Sequence, residues 1–151
     1  TTPMSQTTTA SAAEHVAERF LRFARSGRVD DPSLFADDFV YHDAMGYDHD
    51  LADAVGLHDQ FLAAIPDAAI TILDSVVTDE RILFRWESTG VQTGTFLGIP
   101  ASNRRVTNRG VTILLVADGV VAEMWDYVDL LGLLQQMGAI PSLEPDTAAT
   151  H

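Results

Sequence analysis

The chain contains no cysteine and no lysine: all nine of its basic residues are arginines. Without cysteine there is no disulfide, no thiol nucleophile and no thiolate-bound metal. Without lysine there is no Schiff-base amine and no phosphate-loop ammonium. No glycines fall in a G-x-G-x-x-G spacing and no serine sits in a G-x-S-x-G elbow. Positive charge is scarce, 9 basic against 22 acidic residues for a net charge of -13. Such a surface repels phosphate, so neither nucleic acid nor an anionic membrane is expected as a partner. No apolar run is long enough to span a bilayer, and the opening TTPMSQTTTASAA lacks the apolar segment of a signal peptide, which makes a cytoplasmic protein the expectation. The chemistry left to this chain must run on carboxylates, histidines, aromatic hydroxyls and amides.

The length of 151 residues suits a single domain with a core, or a core and a pocket. We place that domain at residues 12–140. A Thr/Ser-rich tail over 1–11 precedes it, with Thr1 to Pro3 ahead of Met4 reading as an expression remnant, and a loose acidic tail follows over 141–151.

From Ala12 to about Ser26, Val16, Phe20, Phe23 and Ala24 recur at helical spacing. Ser11 and Glu14 form a capping box before that helix, and Gly27 ends it. Asp31-Pro32-Ser33 opens a short helical turn through LFADD, and Phe39 to Asp43 reads as a brief strand. A second helix is expected over Leu51 to Ile65, with Leu57, Phe61, Leu62 and Ile65 on its apolar face and Pro66 stopping it. Strands follow at Ile70 to Val77 and Arg81 to Ser88. Arg109 to Gly138 then reads as strand, Asp118-Gly119 turn, strand and short helix, since Asp-Gly tolerates the positive φ a tight hairpin requires. Helices followed by antiparallel strands make an α+β fold, with helices packed on one side of a curved sheet and an apolar pocket at its open end.

The Phe35-Ala36-Asp37-Asp38, Phe39-Val40-Tyr41-His42-Asp43 and Ile65-Pro66-Asp67 runs resemble the SnoaL-like polyketide cyclase (ester cyclase) family, within the nuclear-transport-factor-2-like superfamily. Phe84-Arg85-Trp86, Thr93-Gly94-Thr95-Phe96, Gly98-Ile99-Pro100 and Arg109-Gly110 continue the resemblance. The block Glu123-Met124-Trp125-Asp126 with Asp129 to Gly138 is the most telling. Two positions depart from the family: Gln92 stands where a histidine is common, and Pro100-Ala101-Ser102-Asn103 replaces Pro-Pro-Thr-Gly.

The resemblance implies a cone-shaped barrel of a strongly curved antiparallel sheet backed by helices. It further implies a homodimer or homotetramer paired through the sheet's outer face, and aldol-type ring closure of a polyketide-derived ester or polyketone without metal or cofactor. By the family's Trp-x-x-x-Asp pattern the acid/base maps onto Asp129, with Asp126 as rival, and the pocket histidine maps onto His42. A hydroxylase, isomerase or hydrolase of the same fold, or a non-catalytic binder of small apolar molecules, remains an alternative.

Strand alternation puts Val121, Glu123, Trp125, Tyr127 and Asp129 on one face and Met124, Asp126 and Val128 on the other, which pairs Asp129 with Trp125 unless a bulge intervenes. Each candidate also has a structural reading. Asp129 stands where a helix N-cap belongs, and Trp125 and Trp86 suit a core as well as a pocket wall. His42 beside Tyr41 suits a half-buried, hydrogen-bonded site. Arg109 in an apolar strand needs a carboxylate partner if buried. Tyr41, Phe61 and Gln92 are expected to touch substrate, Gln92 by orienting a carbonyl. The run His42, Asp43, Asp48, His49, Asp50, Asp53, His58, Asp59 looks metal-like but lacks zinc-site spacing, and reads instead as a solvated acidic face.

Overall fold

The computed structural model describes residues 11–29, 31–144 and 146; most of both expected tails lies outside this range. Helix α1 covers Ala12–Ser26 and carries the expected capping box, with Gly27 at φ 67° closing it. A 3-10 turn, Pro32–Leu34, leads into β1, Phe35–His42. The expected helical LFADD is therefore strand from Phe35 onward. Phe35 and Phe39, four residues apart and so on one face of a strand, are both buried, and the β1–β6 pairing shifts register between Phe35 and Val40. The two-residue β2 is Asp48–His49, and α2 is Leu51–Ala64. There follow β3, Ala69–Val77; β4, Arg81–Val91; β5, Arg105–Ala117; β6, Val120–Val128; and α3, Leu130–Gln136.

The six strands form one curved, unclosed sheet in the order β2-β1-β6-β5-β4-β3. It is mixed and not wholly antiparallel, because β1 runs parallel to β6. Strand β1 reaches β6 only after most of the chain intervenes, so no tight turn constrains its direction. The β5–β6 hairpin turns at Asp118 and Gly119, with φ of 52° and 75°, as the Asp-Gly pair predicts.

Helix α1 packs on the inner face of the sheet. Val16, Phe20, Phe35, Phe39, Ile82, Phe84 and Leu114 form the larger core, with the Phe20 and Phe84 rings stacked at 6.0 Å. A smaller cluster of Ala64, Ile65, Val106, Leu133 and Met137 closes the opposite end. Between these two clusters the helices stand off the sheet. No helix among the described residues is long and apolar enough to cross a membrane.

Candidate active site

The gap between the clusters is a cavity of about 790 Å³. Its walls are apolar and aromatic, with Phe20, Phe39, Phe61, Trp86 and Met124 among them. Set into these walls are Tyr41, Asp43, His58, Ser88, Asn108, Thr112 and Asp126. An apolar pocket with a few convergent polar groups is the usual form of a small-molecule site.

Asp126 sits on β6, directly opposite Thr112 on β5. The Tyr41 hydroxyl donates to Asp126 Oδ2 at 2.7 Å, and the Thr112 hydroxyl donates to Oδ1 at 2.5 Å. Trp86 Nε1–H in turn donates to Thr112 Oγ1 at 3.0 Å. A relay of donors thus holds one carboxyl against the cavity. Burial pushes the Asp126 carboxyl up from the ordinary carboxylate range, and outweighs the hydrogen bonds from Thr112 and Tyr41 that pull it down. Burial, with the charge of Asp126 beside it, drives Tyr41 well above the usual phenol range, so its hydroxyl stays a donor.

Asp43 is the contrasting carboxyl. Burial pushes it up too, but His49 Nε2 at 2.8 Å and the N–H groups of Tyr47 and Met45, both at 2.9 Å, outweigh burial and leave it below the ordinary value. Two cavity carboxyls are therefore pushed apart in proton affinity, the pattern that separates acid/base groups from fixed charges.

His58 Nε2 lies 3.1 Å from the Ala24 carbonyl, so that nitrogen carries the proton of a neutral ring. Burial lowers the His58 pKa and keeps the imidazole neutral. His58 was grouped in sequence with a solvated acidic face, yet it faces inward from α2. Its spacing from Phe61 and Ala54 is a helical signal that could have shown this. Thr112, Ser88 and Asn108 also escaped sequence reading. Their signal is a polar residue at an inward position of a strand.

Of the sequence candidates, Trp86, Tyr41, Phe61 and Asp126 line the cavity, and the others lie elsewhere. Asp129 is exposed and caps α3, its Oδ1 accepting from Gly132 N–H at 2.9 Å. Asp129→Ala should therefore cost about 1 kcal/mol of stability, the usual cost of a lost N-cap, while leaving turnover within a few-fold of wild type. A thermal melt beside an activity assay checks both, and a collapse of turnover without a shift in melting would return Asp129 to the site.

His42 and Trp125 lie outside the cavity, on the sheet's other face, with their rings stacked at 5.1 Å. His42 bonds Glu123 at 2.9 Å and Asp48 at 2.6 Å, and these two partners raise its pKa. Arg109 is exposed across from Glu87 in the β4–β5 register, so it has no need of the buried partner anticipated for it. Gln92 is fully buried in a structural role. Its Nε2 donates to the carbonyls of Gly94, Ile99 and Pro100, at 3.2, 3.4 and 3.2 Å, and its Oε1 accepts from Ser102 N–H at 3.1 Å.

The parity argument had the two faces correctly separated from Met124 onward and chose the wrong one as the pocket side. A bulge does occur, but at the start of β6. Pairing shifts between Leu115 and Val116, so Val121 turns inward with Met124 and Asp126. Among the described residues no group of three or more His, Asp or Glu side chains gathers as a metal site.

The fold and site define an α+β domain whose curved sheet and helices enclose an apolar cavity with the Asp126 carboxyl, held by two hydroxyls, set into its wall. The chain belongs to the SnoaL-like polyketide cyclase family, whose profile matches residues 14–137. No curated protein matches it. Among solved structures it is similar to TsrD from Streptomyces laurentii, at 28% identity and TM-score 0.72 over 87% of this chain and 98% of that one. It is also similar to IdmH from Streptomyces antibioticus, a candidate polyketide cyclase, at 24% identity and TM-score 0.72 over 83% and 98%. AclR from Streptomyces galilaeus, a candidate hydroxylase, shares 24% identity at TM-score 0.73 over 88% and 87%. At such identities the last two speak for the fold alone.

Proposed function

We propose that this chain is a polyketide cyclase that closes a ring by an intramolecular aldol reaction, with Asp126 as its acid/base. The observation that carries this reading is the Asp126 carboxyl itself: buried in an apolar cavity, raised in proton affinity and held by two hydroxyl donors. A binding module needs only the cavity. A raised, pinned carboxyl is what proton transfer needs.

In the proposed reaction the Asp126 carboxylate removes a proton from a carbon flanked by two carbonyls of the substrate. The resulting enolate attacks a carbonyl further along the same molecule, forming a carbon–carbon bond and an alkoxide. Asp126, now protonated, returns its proton to that alkoxide, so the product is an isomer of the substrate. A raised pKa suits both halves, since the carboxylate is a stronger base and its acid form persists closer to operating pH. Tyr41 and Thr112 fix the carboxyl's direction, and the aromatic walls hold a flexible chain folded for closure. Pairing of two copies through the outer sheet face belongs to the same reading, with Tyr127 and Val76 exposed there.

The test is mass spectrometry of a panel of polyketide methyl esters incubated with wild type, Asp126→Asn and Asp129→Asn. A product of unchanged mass made by wild type and Asp129→Asn but not by Asp126→Asn supports the reading. Addition of oxygen or water would assign the chain to a hydroxylase or hydrolase reaction instead. Unreacted substrates that still bind would leave a binding module.

A further inference from the structure

The Asp126 relay occupies the sheet side of the cavity, and the proposed chemistry leaves one polar group on the helix side unused. His58 lines the cavity from α2, on the helix face that also presents Ala54 and Phe61 to it. One edge of its ring is fixed in place. Nε2–H donates to the Ala24 carbonyl at 3.1 Å, and a Cβ placed on Gly27 would meet Cδ2 at 3.3 Å and Nε2 at 3.7 Å, so this edge lies against the end of α1. With the proton on Nε2, Nδ1 carries a bare lone pair and can only accept. Burial keeps the ring neutral, so no second proton takes up that lone pair. Nδ1 has no hydrogen-bond partner among the described residues. Among the described side chains that are not exposed, only Asn108 Oδ1 is both unpartnered and sealed from solvent, so the unpartnered Nδ1 of His58 can be reached. The open space His58 borders is the cavity.

We infer that His58 is a substrate-binding residue whose Nδ1 accepts a hydrogen bond from an enol or hydroxyl of the molecule on which Asp126 acts. This inference rests on the cavity being a substrate site, as proposed above, and adds a second polar contact to it. No proton changes hands at His58: Asp126 still removes the proton and returns it. An acceptor with no hydrogen of its own selects for a donor, and a polyketone offers one wherever a dicarbonyl unit has enolised to an O–H. The unenolised unit presents only carbonyl oxygens, whose lone pairs would meet that of Nδ1 and be turned away. The two groups lie within electrostatic reach of each other. The Asp126 charge raises the proton affinity of His58, and His58 in turn lowers that of Asp126, so one molecule in the cavity can touch both. A purely structural histidine accounts for the bond from Nε2 to Ala24 but not for an open Nδ1 on the cavity wall.

The experiment is calorimetric titration at neutral pH with 2-naphthol and 2,6-dihydroxynaphthalene. Both probes are uncharged there. The Asp126 carboxyl can take one hydroxyl, so the second reports on His58. Wild type should bind the diol about tenfold more tightly, the worth of one added hydrogen bond. Two variants separate the two ring nitrogens. His58→Gln reaches the Ala24 carbonyl with its amide and offers no acceptor at the Nδ1 position, whereas His58→Asn places an amide oxygen there and gives up Ala24. His58→Gln should therefore melt as wild type does and bind both probes alike. His58→Asn should melt about 3 °C lower, for the lost bond to Ala24, and keep the preference for the diol. A structural role predicts the reverse, with Gln sparing and Asn abolishing any preference. Failure of the diol to bind, no preference in wild type, a preference surviving in His58→Gln, or one lost in His58→Asn would each overturn the inference. The two proposals fail separately: full turnover in Asp126→Asn removes the acid/base assignment and leaves the diol preference standing, and loss of the preference leaves the Asp126→Asn turnover comparison as it was.

Discussion

Asp126→Asn is expected to lower ring closure by about a thousandfold, within the 10²–10⁴ range that a positioned acid/base contributes. The substitution keeps the size of the side chain and removes only its ability to take and return a proton. It should not unfold the protein. The Tyr41 and Thr112 hydroxyls that donate to the carboxylate can rotate, and each can instead accept from the new amide. At neutral pH the variant should be as stable as wild type or more so. Burial raises the folded-state pKa of Asp126 above its unfolded value, so its favourable contribution is complete below about pH 4 and is lost as pH rises through the folded pKa. The melting difference, variant minus wild type, should therefore be larger at pH 8 than at pH 4. A pH-independent difference would show that burial does not perturb this carboxyl, and retained turnover would show that it is not the acid/base.

Gln92→Ala should produce the largest loss of stability among single changes near the cavity, about 3 kcal/mol. The side chain ties together a loop with no regular structure of its own, between β4 and β5. Removing it opens a void and leaves the carbonyls of Gly94, Ile99 and Pro100 and the N–H of Ser102 without the partner that binds them. For a chain of this length that corresponds to a fall of roughly 10 °C in melting temperature. Below the transition, kcat should stay within a few-fold of wild type, because Gln92 does not border the cavity. An unchanged melting temperature with a raised KM would instead make Gln92 the substrate-orienting group that its place in the sequence suggested.

Much of the architecture was legible before the structure. The Ser11–Glu14 capping box, Gly27 and the Asp118-Gly119 turn are local signals whose physics acts within a few residues. The candidate site was legible only as a list. Tyr41, Trp86, Phe61 and Asp126 were on it and line the cavity, but so were Asp129, Trp125, His42, Arg109 and Gln92, which do not.

The reason lies in β5 and β6. Period-2 alternation separates Asp126 from Trp125 without saying which of them faces the helices. Hydrophobicity does not decide it here, because both faces of β5 are apolar in this stretch: Thr112, Leu114 and Val116 on one, Val111, Ile113 and Leu115 on the other. Family pattern pointed to Asp129, whose place after the last strand makes it the cap of α3 in this structure. The sequence by itself determined most of the elements (the Phe35-Ala36-Asp37-Asp38 run, expected helical and found in β1, is the exception), the Asp118-Gly119 turn, the cap of α1, the exclusion of lysine and cysteine chemistry, and the family. Only the packing of α1 and α2 against one side of the sheet decided which face became a cavity, and with it that Asp126, His58 and Asn108 look inward together. That choice depends on contacts between residues far apart in the chain, which no local spacing encodes.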